Sequence, residues 1–223
     1  MAPSSSQGLL SMTPATSASA LDQLFVDLAH PNPYVQTEAF LAMVRHHSEA
    51  SLPRLILLLD HEDVVRRRAA VRALGAFGEP AMLPLAQKFQ SSRDGTVRAS
   101  CVKAYAQIAS NLPGLQFPSE AMAVLKTALD DESPVVAIAA VMALGQVGEQ
   151  ALPLLIQVCR GSNEAQAVAA VNALVNIDHP DVSICLAQLA ACEDTDAYVL
   201  ESVTSALVRV DDLRGRQPSL LSS

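Results

Sequence analysis

Asp60-His-Glu-Asp-Val-Val-Arg-Arg-Arg-Ala-Ala-Val-Arg-Ala-Leu-Gly-Ala-Phe-Gly-Glu-Pro-Ala-Met-Leu-Pro84 aligns without a gap on Asp130-Asp-Glu-Ser-Pro-Val-Val-Ala-Ile-Ala-Ala-Val-Met-Ala-Leu-Gly-Gln-Val-Gly-Glu-Gln-Ala-Leu-Pro-Leu154, with 12 identities in 25 positions. Both stretches carry Asp-x-Glu, then Ala-Ala-Val-x-Ala-Leu-Gly, then Gly-Glu-x-Ala. A self-match of this length marks an internal repeat, and the period of a repeat decides the architecture. The heart of the pattern is an apolar residue or Thr, any residue, a small residue and an apolar residue. It recurs as Phe40-Leu-Ala-Met43, Val71-Arg-Ala-Leu74, Val102-Lys-Ala-Tyr105, Val141-Met-Ala-Leu144, Val171-Asn-Ala-Leu174 and Thr204-Ser-Ala-Leu207. Successive starts lie 31, 31, 39, 30 and 33 residues apart. The long interval contains Asn111-Leu-Pro-Gly-Leu-Gln-Phe-Pro118, which reads as an inserted loop, a spacer or a recognition element.

Each unit holds two helical stretches. The first is short and apolar, over 52–59, 81–89, 120–129 and 151–159. A turn rich in Asp or Ser follows, at 60–63, 91–94 and 130–133, where those side chains can cap the free amides of the next helix. The second helix runs to a glycine stop at Gly78 and Gly148. Pro84 and Pro153 are expected near the starts of first helices, where a missing amide costs least. One hairpin cannot cover its own apolar faces, whereas a stack of them can.

Composition agrees with helices. Of the 223 residues, 50% are apolar but only 4% aromatic, with no Trp, and Ala, Leu and Val suit closely packed helices better than a β-sandwich. The formal charge of −8, from 23 acidic against 15 basic residues, opposes a nucleic-acid binder, which needs a net basic face. No stretch reads as the ~20 uninterrupted apolar residues of a membrane span. The first nineteen residues are rich in Ser, Ala, Thr and Pro, and the first basic residue is Arg45, unlike a secretory or transit peptide. The expected organisation is a disordered arm over 1–19, a solenoid over 20–212 and a flexible tail over 213–223, in a cytoplasmic protein. Cys101, Cys159, Cys185 and Cys192 form no Cys-x-x-Cys pair and read most simply as free thiols in a reducing compartment.

The unit Val65-Arg-Arg-Arg-Ala-Ala-Val-Arg-Ala-Leu-Gly75 resembles a HEAT repeat, and the resemblance covers about residues 20–212. It implies an all-α, right-handed α-solenoid of about six HEAT-like helical hairpins. Short HEAT chains of this size resemble the cyanobacterial phycobilin lyase E/F-type subunits and their relatives, among them a HEAT protein that engages an IscA-type iron–sulphur carrier. That resemblance implies a protein-interaction module of bilin-protein biogenesis, a bilin lyase-like or chaperone subunit. Its partner would be a phycobiliprotein subunit, a second HEAT subunit or an IscA-type carrier. Its cofactor would be a linear tetrapyrrole such as phycocyanobilin, a shared iron–sulphur cluster, or none. Catalysis by this chain alone is not expected.

The same resemblance implies that second helices line the concave face. At 100° per residue, the second helix of unit two gathers Ala69, Ala70, Ala73, Leu74 and Phe77 on one side and Arg68 and Arg72 opposite, with Arg67 at the border. Carried through the array, the two exposed positions give Leu41, Arg72, Lys103, Met142, Asn172, Ser205 and Thr37, Arg68, Ala99, Ile138, Val168, Glu201. The presumed groove is therefore basic, then apolar, then mildly acidic. Arg66, Arg67, Arg68, Arg72, Arg98 and Lys103 would suit carboxylates, which Arg can grip with two prongs. They could equally pair with Glu62, Asp63 and Asp94 of the turns. Ile138, Met142 and Val168 mark an apolar docking patch, because 134–144 has no charge on any face. The other reading leaves Ala to dominate that stripe, or a terminal arm to fold over it. His61 is either an acid–base group or an exposed turn residue, and His46 and His47 suit a helix C-terminus. Cys159, Cys185 and Cys192 are weak candidates for a metal or cluster site, Cys101 a core residue. No Ser-His-Asp order, His-Glu-x-x-His or phosphate loop is present.

Overall fold

The computed structural model describes the backbone of residues 14–215 and the side chains of residues 20–213. Among the described residues the chain forms helices and no strands. The helices pair into six hairpins: α1 (Pro14–Asp27) with α2 (Pro33–His46), α3 (Ser48–Leu57) with α4 (Val64–Phe77), and α5 (Glu79–Ser91) with α6 (Gly95–Asn111). They continue with α7 (Ser119–Leu129) and α8 (Pro134–Val147), α9 (Leu152–Cys159) and α10 (Glu164–Leu174), and α11 (Pro180–Ala191) and α12 (Ala197–Gly215). Short 3-10 turns at Leu58–Asp60 and Gly148–Ala151 extend α3 and precede α9.

Helical structure exceeds the expected 20–212 limits at both ends. It begins at Pro14, whose ring presets a helical φ, and the alanines that follow are strong helix formers. The rest of the expected arm, residues 1–13, and residues 216–223 lie outside the described residues. Pro84 also departs from expectation. It sits inside α5 rather than in its first turn, as Pro53 does in α3, so each interrupts the backbone ladder of a first helix. Pro153 does fall in the first turn of α9, directly after the 3-10 turn.

The caps follow the turn chemistry. Asp63 accepts a hydrogen bond from the Val65 amide at 2.7 Å, and Asp94 from that of Thr96 at 2.7 Å. At the third turn Ser133 does not cap with its side chain; Asp131 Oδ1 instead accepts from the Ser133 amide at 2.8 Å. Gly78 and Gly148 end α4 and α8 with φ of 67° and 80°, a conformation a Cβ would strain. The run from Pro134 to Cys159 has the length and hydropathy of a membrane span, yet half of it is buried. It is broken at Gly148 into two helices of 14 and 8 residues.

The apolar positions of the repeat become the core. Ala73, Leu74, Ala104, Tyr105, Ala143, Leu144 and Leu174 are fully buried. Tyr105 replaces the usual Leu and donates its hydroxyl to the Met82 carbonyl at 2.7 Å. The insertion after α6 is anchored in this core by Phe117, while 111–114 and 116 are exposed. Phe117 is buried, its ring centroid 6.0 Å from that of Tyr105. Gln150 holds the Phe117 backbone on both sides, accepting from its amide and donating to its carbonyl, each at 2.8 Å.

Second helices of neighbouring units pack on one another along the whole array, whereas first helices do so mainly from α3 to α7. The more closely spaced row lies inside the curve, so the second helices line the concave face. Two glycines permit the approach. A Cβ on Gly75 would stand 2.2 Å from Gln107 Cγ and 2.8 Å from its Cβ, and one on Gly145 would stand 2.8 Å from Ala173 Cβ. Gly145→Val should therefore destabilise the protein by about 1–3 kcal/mol through overpacking, measured as a lower denaturant midpoint. An unchanged midpoint would mean that α8 and α10 do not pack this tightly.

Candidate functional site

On the concave face, α4, α6 and the start of α8 enclose a depression of about 670 Å³. Arg67, Arg68, Arg72, Arg98 and Lys103 all line it, so the structure brings the five basic candidates together. Arg66 turns away to a separate apolar pocket beside Phe25, Leu28 and Arg54, with a long 3.9 Å pair to Asp63 and a 3.5 Å contact to His61 Nε2.

The five cations differ in what already holds them. Arg67 donates to the carbonyls of His61 and Glu62 at 2.7 and 2.8 Å. Arg98, one repeat on, reaches the equivalent carbonyl of Ser92 at 3.4 Å and grips Asp131 with two prongs at 2.7 and 2.9 Å. Glu132 adds a third contact at 3.1 Å. These two arginines brace the turns between helices. Arg72 bonds only the neutral side-chain oxygen of Gln36. Arg68 and Lys103 are exposed and make no hydrogen bond or ion pair among the described residues.

The carboxylates at the depression are engaged. Asp94 caps α6, and the Thr96 amide holds its carboxyl below the ordinary range. Asp131 is depressed more directly, by its hydrogen bonds from Arg98, in a pair whose side chains are only 11% and 7% exposed. The same contact raises Arg98. No histidine lines the depression. His61 lies in the turn, where its Nδ1 accepts from the Asp63 amide at 3.0 Å. His46 ends α2, and His47 stands between α2 and α3.

Beside the basic depression the face becomes apolar. Met142 is 62% exposed and Val135 60%, with half-buried Ile138 between them on α8. Val168 on α10 is half-buried against the core. A third exposed row escaped the sequence reading, seven residues before the Arg72 row: Tyr34, Val65, Thr96, Val135, Ala165 and Tyr198. The signal was present, because positions i, i+3 and i+7 share one helical stripe.

The cysteines do not form the three-membered group considered from the sequence. Among the described residues no three His, Cys, Asp or Glu side chains could hold a metal ion. Cys159 and Cys185 are buried side by side, and Cys192 is exposed at the end of α11. A hydrogen bond from Cys159, aided by Arg160, lowers Cys185, and the same contact raises Cys159. Cys101 is fully buried, and burial pushes its thiol up to about 12.

Comparison with known proteins gives the family of the chain. A family model described as HEAT repeats matches residues 21–106, 103–167 and 121–208. Bilin biosynthesis protein CpeZ of Synechococcus sp. (strain WH8020) is 36% identical over 184 residues, covering 80% of this chain and 99% of that protein. Uncharacterized phycocyanin operon protein Z of Pseudanabaena tenuis (strain PCC 7409) is 36% identical over 197 residues, covering 88% and 98%. In structure, the X-ray model of the E. coli protein YIBA matches 94% of this chain and 81% of its own, with a TM-score of 0.52 at 16% identity, a likeness of fold alone.

The Arg98–Asp131 brace has a pH signature. A depressed Asp131 contributes stability that is complete above its unfolded pKa of about 4 and is lost as pH falls through the folded value. Asp131→Asn should lower stability by about 1–3 kcal/mol at neutral pH and make stability less steep below about pH 5. Denaturant titrations across pH would read this, and parallel curves for the two proteins would contradict it.

Proposed function

The chain belongs to the HEAT-repeat family, in the group that includes bilin biosynthesis protein CpeZ, and from that premise we propose that it is a holding subunit in the biogenesis of bilin-bearing proteins. It works through its concave face, in a lyase-like complex or as a chaperone. The partner is a phycobiliprotein subunit or a second HEAT subunit. The depression receives carboxylates, from the propionates of a linear tetrapyrrole such as phycocyanobilin or from an acidic protein surface.

One observation carries this reading. Arg68, Arg72 and Lys103 face a common depression with no carboxylate bound to them among the described residues, next to exposed Val135 and Met142. A carboxylate arriving there gains charge-assisted hydrogen bonds without displacing an existing ion pair. The apolar body attached to it finds uncovered side chains alongside. A volume of about 670 Å³ falls within the range of small-molecule sites, roughly 300–1,000 Å³.

The test is capture of partners from a bilin-containing extract by the tagged chain, read by mass spectrometry and by visible absorbance of the eluate. A phycobiliprotein subunit or a second HEAT chain with bilin absorbance is expected. Arg68→Glu with Arg72→Glu should cut capture about tenfold or more, equivalent to about 1.4 kcal/mol, while leaving helicity unchanged. Met142→Glu should weaken it through the apolar side. Undiminished capture by the folded arginine variant would remove the depression as the site, and a colourless, unrelated partner would remove the bilin assignment.

A further inference from the structure

Towards its C-terminal end the stack is less tightly joined through its first helices than in the middle. Successive first helices approach one another from α3 to α7, but α9 and α11 do so little. Across that looser seam lies a pair of thiols that the holding surface does not use. Cys159 is the last residue of α9, and Cys185 lies in the middle of α11. They are 3% and 1% exposed, and their side chains share a hydrogen bond.

Arg160 completes the cluster. Its side chain reaches Cys185 and donates to Gln188 Oε1, one turn further along α11, at 2.6 Å. The thiolate is the reactive form of cysteine, and a neighbouring guanidinium favours it. The bond from Cys159, helped by Arg160, holds Cys185 below its ordinary pKa, whereas the same bond and burial raise Cys159. A thiolate beside a thiol is the arrangement from which a disulfide forms. Side chains already in hydrogen-bond contact need only small rotations to reach bonding geometry.

A route leads in from solvent. Cys159 lines a turn pocket of about 390 Å³ together with Arg160, Glu164, Asp194 and Asp196. Three carboxylates against one arginine disfavour an anionic oxidant, such as the disulfide of glutathione, and leave the pocket to a small uncharged one.

We propose that Cys159 and Cys185 are an oxidative modification site, at which hydrogen peroxide forms a disulfide that ties α9 to α11. The Cys185 thiolate attacks one peroxide oxygen and the O–O bond breaks, leaving a sulfenic acid on Cys185. The departing hydroxide takes up the proton that Cys185 gave to solvent and leaves as water. The Cys159 sulphur then attacks the Cys185 sulphur, the S–S bond forms and the S–O bond breaks. The hydroxide released there takes the Cys159 proton as a second water. Two thiols are oxidised and one peroxide is reduced to two waters. The new bond supplies the link that α9 and α11 lack, whatever the concave face holds.

The experiment uses the full chain carrying Cys192→Ser, which removes the exposed thiol and leaves the buried pair intact. The reduced protein is treated with hydrogen peroxide, its remaining thiols are blocked with N-ethylmaleimide in denaturant, and a non-reducing digest is read by mass spectrometry. The expected product is a Cys159 peptide joined to a Cys185 peptide, with Cys101 alkylated and both thiols restored by dithiothreitol. In the oxidised protein, amide exchange in α9 and α11 should slow about tenfold while α4 and α6 stay unchanged. Alkylation of both Cys159 and Cys185 after peroxide, or sulfinic acid on Cys185 in place of a disulfide, would overturn the site. A disulfide that leaves exchange in α9 and α11 as it was would overturn the tie between the helices.

Discussion

Everything on the concave face depends on how closely successive second helices can approach. The row packs at small residues: Ala73, Ala104 and Ala143 are fully buried, and Gly75 and Gly145 have no room for a Cβ against the next helix. Ridges of small side chains let helix axes come near the short end of the usual 8–10 Å range. First helices, with fewer mutual contacts towards the ends of the array, stay further apart. That asymmetry curves the stack and turns one stripe of each second helix inward without burying it.

A stripe in that position is released from packing. Its residues need not fill a core, and the contacts some of them make across units, such as Arg72 to Gln36, are side-chain hydrogen bonds, so their chemistry can vary from unit to unit while the scaffold stays the same. This is how equivalent positions come to hold Arg72, Lys103, Met142, Asn172 and Ser205 within one repeating architecture. Binding modules of stacked units gain an extended surface in this way, at little cost to folding.

The turns obey a different constraint. Each must satisfy the first amides of a second helix and also hold its place against the next unit. Asp63 and Asp94 do the first, and Arg67 and Arg98 each reach back to an equivalent carbonyl of their own turn. Arg98 goes further and ties its turn to Asp131 of the following unit. The basic cluster is thus two populations, braces and free cations, which share one depression.

The repeat alone determined the helical hairpins, their number, the core positions and the glycine stops, because a two-helix period of about thirty residues and a 3.6-residue helical turn leave little choice of geometry. The concave assignment of two exposed rows came from the family resemblance joined to helical periodicity, and the row containing Val65, Val135 and Tyr198 was not among them. What only the tertiary structure decided was partnership across units. The hydrogen bonds of Arg98 to Asp131, of Gln150 to the Phe117 backbone and of Arg72 to Gln36 join residues more than thirty positions apart. The side-by-side burial of Cys159 and Cys185 is of the same kind. Periodicity tells which way a side chain points, but whether it meets a partner there depends on the spacing and curvature of the stack, which come from the summed packing of all the helices.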